Sequence, residues 1–262
     1  MTPRRDWGER VLDVFVGAVL VFLALPTLAV IPMAFSSAEL LVFPPPDYSV
    51  RWFEMFFKRP EWYGAAVNSF VVALCTTALA TAIGTAAALA LSRGGLRFKG
   101  LLGIFFMLPM MVPAIVTGVA LYRSYAAWGL SGTIPGLVLA HTVVALPFVV
   151  INVSAVLNRM DWRLEQAARS LGAGAFEAFR RVTLPIVRPG VLAGALFAFL
   201  TSFDEVVISL FMTGVNTITL PVQMWAGIRF EINPIVAAVS VMLVLLSGLV
   251  FSAYALIRRS QR

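Results

Sequence analysis

The 262-residue sequence has one cysteine, one histidine and only 13% charged residues, and each shortage removes a class of function. Cys75, in the stretch VVALCTTALA, has no partner for an internal disulfide and reads as an inert buried thiol. One His and one Cys cannot assemble a metal site of ordinary nitrogen and sulfur ligation. No G-x-x-x-x-G-K-[ST] occurs, and the Gly-rich basic stretch RGGLRFKG at 93–100 lacks the spacing to cradle phosphates, so any ATP must be bound by another polypeptide. With 60% hydrophobic residues and a mean hydropathy of +0.90, the chain is too apolar for an ordinary water-soluble domain.

What the chain does have is long apolar runs. A hydrocarbon core of roughly 30 Å needs about 20 apolar residues in helix. Six runs qualify: Val11–Phe35, Val67–Leu91, Leu101–Tyr122, Ile134–Leu157, Gly190–Thr213 and Ile235–Ile257. They are uniformly apolar, without the alternation of a membrane barrel, so the fold class is all-α and polytopic, with six transmembrane helices. The basic start MTPRR is followed by a run longer than a secretory signal core, which reads as an uncleaved anchor.

Orientation follows from the basic residues. Of the 20 Lys and Arg, fifteen lie at the two ends or in the even-numbered connections; the other connections hold only Arg51, Lys58, Arg59, Arg123 and Arg229. Cytoplasmic segments are enriched in Lys and Arg, so both termini are expected in the cytoplasm. The same bias accounts for the net charge of +7 without a nucleic-acid partner.

Two connections are long. The outer one, about 36–66, carries Trp52, Phe53, Phe56, Phe57, Trp62 and Tyr63 and reads as an amphipathic piece lying in the membrane interface. The cytoplasmic one, about 158–188, is rich in charge. Read as helix from an N-cap at Asp161, it aligns Leu164, Ala167, Ala168 and Leu171 in one apolar stripe, with Glu165 four residues before Arg169 on a neighbouring face. Gly172 and Gly174 then supply a stop and turn, and Glu177 sits four before Arg181 in a second short amphipathic piece. So short a helix is marginal alone in water, and something must receive it.

The spacing Gln166, Ala167, Ala168, three residues, Gly172, nine residues, Val182–Pro185 resembles the "EAA" loop of permease subunits of binding-protein-dependent ATP-binding-cassette (ABC) importers. The blocks VNSF, MLPMMVPAIVTGVAL, AHTVVALPFVV, FDEVVISLFMTG and TLPVQMW extend the resemblance over most of the chain, towards the spermidine/putrescine type. The resemblance implies a type I ABC importer permease fold, a single transmembrane domain over 1–262, and residence in the bacterial inner membrane. It implies that the short cytoplasmic helix is a coupling helix that docks on an ATPase through Glu165, Gln166, Ala167, Ala168, Arg169, Leu171, Gly172, Leu184 and Pro185. It further implies a second homologous permease, two ATPase subunits that carry ATP and Mg, an outer solute-binding protein, and a polyamine or related small amine as cargo. One departure stands out: Gln166 occupies the position of the family Glu, and a neutral amide makes a weaker bond to an ATPase arginine than a carboxylate does.

Two rival classes fare worse. Gly129–Gly132 matches the G-x-S-G of intramembrane serine proteases, but His141 lies ten residues from Ser131 on the same expected helix, roughly 15 Å away. A secondary transporter or channel would be expected to show internal repeats, and none is apparent. Pro26, Pro32, Pro109, Pro113 and Pro147 lie within apolar runs and can kink their helices.

Asp13 is placed at a membrane edge, whereas Asp204 and Glu205 fall roughly 22 Å into the fifth helix, where ionisable groups usually face a pathway or a partner. On a continuous helix Thr201 or Ser202, Glu205 and Ser209 form a small polar stripe, and Asp204 shares a face with Leu200, Val207 and Ile208. Glu205 is therefore expected to face the pathway and favour a cation, and Asp204 to anchor the helix to a partner such as Arg123 or Arg229. Topology is checked by reporter fusions: those after Arg97 and Gly174 are expected to report cytoplasm and one after Lys58 the outer side, and a cytoplasmic signal at Lys58 would overturn the six-helix arrangement.

Overall fold

The computed structural model describes residues 7–93, 95, 97–231 and 234–259. Arg4, Arg5 and Arg262, which contribute to the charge asymmetry, lie outside the described residues. The described chain forms twelve α-helices: α1 (Trp7–Ala34), α2 (Arg51–Lys58), α3 (Pro60–Ser92), α4 (Lys99–Met111), α5 (Ala114–Ala127), α6 (Ile134–Leu157), α7 (Arg163–Ser170), α8 (Ala175–Ala178), α9 (Leu184–Phe203), α10 (Val207–Met212), α11 (Leu220–Ala226) and α12 (Ile235–Arg259). A π-helical turn, Phe179–Thr183, joins α8 to α9, so that Ala175–Phe203 runs as one 29-residue span.

Among the described residues, α1, α3, α6 and Ala175–Phe203 are each long and apolar enough to cross a membrane. The third expected segment is not one helix. It is α4 and α5, bent by 103° about Val112–Pro113. Proline lacks an N–H and pushes the residue before it out of helical geometry; Val112 is accordingly extended, at φ −86° and ψ 132°. The carbonyl of Pro113, the residue before α5, accepts from the amides of Val116 and Thr117, at 2.9 and 3.2 Å, and so starts α5. Pro26, Pro32, Pro109 and Pro147, in contrast, lie inside their helices.

Contacts divide the chain into two compact units, Gly64–Gln223 and Met1–Tyr63 with Met224–Arg262. In the latter, α1 packs on α12 and α2 on α12. The aromatic connection is only partly an interfacial surface: Trp52, Phe56 and Trp62 are buried within the protein, while Phe57 and Tyr63 are exposed. The rings of Phe53 and Phe35 meet at a tilt of 40°, with centroids 4.9 Å apart.

The unit Gly64–Gln223 is organised by α6 against α9. Along α9 the buried residues Gly190, Gly194, Ala198 and Ser202 recur every fourth position, a stripe of small side chains on one face. A Cβ added to Gly190 would lie 2.8 Å from the backbone oxygen of Asn152, and one added to Gly194 would lie 3.0 Å from Val149 Cα. The two backbones are thus nearly in contact, and only hydrogen fits between them. Gly84 of α3 meets Val149 in the same way, at 2.7 Å from its Cβ. Val149, Val153 and Leu157 of α6 form the centre of the core with Ala80 and Ala88 of α3 and Val187 and Ala198 of α9.

Gly190→Leu is expected to force α6 and α9 apart and to cost on the order of 1–3 kcal/mol, since the obstructing atoms include backbone. Thermal unfolding of the purified protein should show a lowered midpoint, whereas Gly103→Leu, with nothing within 4 Å of its added Cβ, should leave it in place.

Candidate functional site

The charged loop 158–188 folds around one buried carboxylate, that of Glu165. Asp161 accepts from the Arg163 amide at 2.9 Å, two residues on, so it starts α7 as a turn residue just before the N-cap, Trp162. The helix ends as its glycine requires: Gly172, at φ +96°, lets its own N–H reach the Arg169 carbonyl (3.0 Å) and the Ala173 N–H reach that of Ala168 (3.1 Å), a complete Schellman closure. Glu177 pairs with Arg181 at 3.0 Å, as their spacing predicts.

Glu165 departs from the expected surface position. It turns inward, 8% exposed, and its two carboxylate oxygens accept from Arg93 Nη2 at 2.9 and 3.0 Å. Oε2 also accepts from the Thr183 hydroxyl at 2.6 Å. Arg93 immediately follows the last residue of α3, with its guanidinium 5.7 Å from the Trp162 ring centroid, and Thr183 is the fully buried last residue of the π turn. Glu165 therefore joins α3, α7 and the entry to α9 inside this chain and does not share the outer face with Gln166 and Ala167.

That outer face is open. Gln166, Ala167, Arg169, Gly172, Leu184 and Pro185 are exposed, Ala168 is half-buried, and Leu164 and Leu171 are 51% and 89% exposed. A cleft of about 260 Å³ beside it is lined by Ser92, Arg93, Trp162, Glu165, Gln166 and Arg169. The apolar stripe read from sequence thus lies at the surface of the described residues, with Ala168 partly covered.

The second candidate region corrects the continuous fifth helix. It stops at Phe203 and resumes at Val207, with Asp204 and Glu205 in the break. Glu205 Oε1 accepts from the Ile208 amide at 2.9 Å and so caps α10 with charge at a helix N-terminus, where a carboxylate is favoured. Ser202 and Ser209 are buried and face His141 of α6, with Nδ1 2.9 Å from Ser202 and Nε2 3.0 Å from Ser209. The Ser209 hydroxyl donates to the Glu205 carbonyl at 2.8 Å, so its oxygen is the acceptor for His141 Nε2–H; Nδ1 then accepts from the Ser202 hydroxyl. One neutral imidazole spans the break and satisfies both serines. Ser131 is no part of this arrangement.

The expected stripe of Ser202, Glu205 and Ser209 is therefore replaced. The serines lock the break from behind, Thr201 is half-buried, Glu205 is half-buried and engaged as a cap, and Asp204 is exposed in the chain. Arg123 is likewise exposed, and no ion pair joins it to Asp204 among the described residues. Arg229 lies in the other unit, 6.0 Å over the Trp225 ring.

A third feature, which the residue spacings do not announce, secures the segment between α10 and α11. Asn68 Nδ2 donates to the carbonyls of Asn216 (3.2 Å) and Ile218 (3.0 Å), and Ser69 Oγ accepts from the Leu220 amide at 2.8 Å. Thr217 Oγ1 donates to the Gly132 carbonyl at 3.1 Å and accepts from the Gly214 amide at 2.8 Å. The blocks VNSF and TLPVQMW are thus spatial partners; a polar Asn-Ser pair opening an apolar helix is the signal that could have indicated it.

Residues 80–262 match the family described as "Binding-protein-dependent transport system inner membrane component". The chain is 30% identical over 250 residues, 92% of its length and 88% of the relative's, to the putrescine transport system permease protein PotI of Escherichia coli (strain K12). It is 33% identical over 200 residues, 76% of the chain and 78% of the relative, to the spermidine/putrescine transport system permease protein PotC of Haemophilus influenzae. In fold it is similar to a chain from the crystal structure of a bacterial ABC transporter that imports the acidic polysaccharide alginate, at TM-score 0.78 and 17% identity, covering 97% of this chain and 99% of that one. The chain belongs to this family: it is an inner-membrane permease subunit of a binding-protein-dependent ABC importer, non-catalytic itself, working with an ATPase on a separate chain and with a solute-binding protein.

Proposed function

We propose that the open face of α7, with Gln166, Ala167, Ala168, Arg169 and Leu171, is the surface received by the ATPase, and that Gly172, Leu184 and Pro185 border it. The observation that carries this reading is the exposure of Leu164, on a helix of only eight residues, and of Leu171, which follows it, while the helix's inward side is tied down by Glu165. An apolar face so placed costs free energy in water and gains it on burial, about 25 cal/mol per Å². Glu165 supports the docking face from within and is not itself a contact. The ATP and Mg reside on two ATPase subunits, and a second homologous permease completes the pathway. Both termini lie in the cytoplasm, as the distribution of Lys and Arg favours.

The cargo in this reading is a polyamine or a related small amine, supported by the names of the relatives and by the acidic break at 204–206. Asp204 is the more available carboxylate, because Glu205 already caps α10. An exposed carboxylate at the interruption of a membrane helix suits a cationic solute.

Leu171→Asp is expected to lower transport and copurification of the ATPase together, because an unpaired carboxylate is expensive to bury. A normally inserted variant that keeps both would remove α7 from the interface. Asp204→Asn is expected to slow putrescine uptake by reconstituted complex severalfold with assembly intact. Glu205→Gln, which retains a capping oxygen, should do so less; equal, unaltered uptake by both variants would dismiss the acidic break as a cation path.

A further inference from the structure

Two features at opposite ends of α3 touch neither the docking face of α7 nor the acidic break. At one end Arg93 holds Glu165 of α7, and Glu165 in turn holds Thr183 at the entry to α9. At the other end Asn68 and Ser69 hold the backbone at Asn216, Ile218 and Leu220. The intervening helix is unbroken from Pro60 to Ser92 and contains no proline beyond its first residue, so Asn68 and Arg93, roughly 37 Å apart by helical rise, are joined by a stiff element.

We propose that Glu165 is a positioning residue: its carboxylate makes α7 move as one body with α3 and the entry to α9, and α3 carries that displacement to the segment 213–220. The reading rests on α7 being the ATPase-docking helix. Three properties of the carboxylate suit it to this task. It accepts from two elements at once, which no neutral side chain of that length does equally well, since a Gln has one acceptor oxygen where Glu has two. It is nearly enclosed, at 8% exposure, so its bonds to Arg93 and Thr183 are poorly replaced by water. Both bonds are charge-assisted, and such bonds are the stronger class. Loss of the tie would remove the side-chain bonds from α7 to Arg93 and Thr183 and leave its chain connections at 158–162 and Gly172 with the short contacts of α8 and the π turn, a connection that can yield when the ATPase pulls.

Thr183 offers a clean test, because it is fully buried in this chain and cannot touch an ATPase. Val215, 90% exposed in the far segment, is replaced by Cys in a background where Cys75 is Ala, and its rate of modification by N-ethylmaleimide is followed in the purified full complex with and without ATP. The parent complex is expected to show a severalfold change in modification rate on addition of ATP. Glu165→Gln and Thr183→Val should each still copurify with the ATPase and hydrolyse ATP, yet lose more than half of that change, and Thr183→Ser, which restores the hydroxyl, should regain it. An ATP-dependent change as large in Glu165→Gln and Thr183→Val as in the parent would overturn the proposal. So would loss of ATPase copurification in Thr183→Val, which would show that the hydroxyl serves folding alone. The docking reading fails separately, if Leu171→Asp leaves copurification unchanged.

Discussion

Hydrocarbon offers no hydrogen bonds, so a chain crossing it must satisfy each backbone N–H and C=O from within. An unbroken helix does this by itself; an interrupted one needs side chains brought from elsewhere. Among the described residues, several interruptions are met by side chains, near or distant in sequence. Glu205 caps α10, Asn68 accommodates two carbonyls of the 213–219 segment, Ser69 receives the Leu220 amide, and Thr217 bridges Gly132 and Gly214. The bend at Val112–Pro113 is met by the start of α5 on the Pro113 carbonyl. Several polar residues of these apolar segments thus sit where the helical ladder stops, while others, Thr77 and Asn152 among them, bond to the carbonyl four residues back within their own helices. A transporter that opens to alternate sides of a membrane needs such places, since a straight packed helix has no point at which to bend without losing bonds.

The interruptions are held by a close-packed support. Gly190 and Gly194 bring α9 almost onto the backbone of α6, and Ser202 ends the same stripe against His141. One face of one helix therefore serves packing at Gly190 and polar fixation at Ser202. His141 then reaches across the break to Ser209, so α9 and α10 are referred to a common point on α6. The exposed Asp204 is presented by this fixed frame.

Much of the fold is legible in the amino-acid order because membrane insertion is a local, additive matter of apolar length. The spans α1, α3 and α6 and the turn at Gly172 follow from runs and spacings alone. Faces were legible only where the helix continued. The placing of Glu205 with Ser202 and Ser209 assumed a ladder that stops at Phe203, and the serines turned to a histidine more than 60 residues away in sequence. Glu165 shows the same limit. Its local partner at four residues is Arg169, but Arg93, 72 residues earlier, takes both carboxylate oxygens. Charge partners across the fold are settled by tertiary geometry, which no spacing rule contains. Pro113 was visible as a kink, while a bend of 103° depends on how α4 and α5 pack afterwards.

The two sides of α7 differ: Glu165 faces the chain, and Leu171, six residues on, faces away from it and is the proposed docking side. Site-specific cross-linking reads this directly. With Cys75 replaced by Ala, Leu171→Cys and Glu165→Cys are introduced singly into the assembled complex and treated with a short thiol-to-amine cross-linker. A cross-link to the ATPase from position 171 and none from 165 is expected. A cross-link from 165 with none from 171 would contradict the assignment of the docking face and, with it, the role of α7 as a helix held from within and received from without.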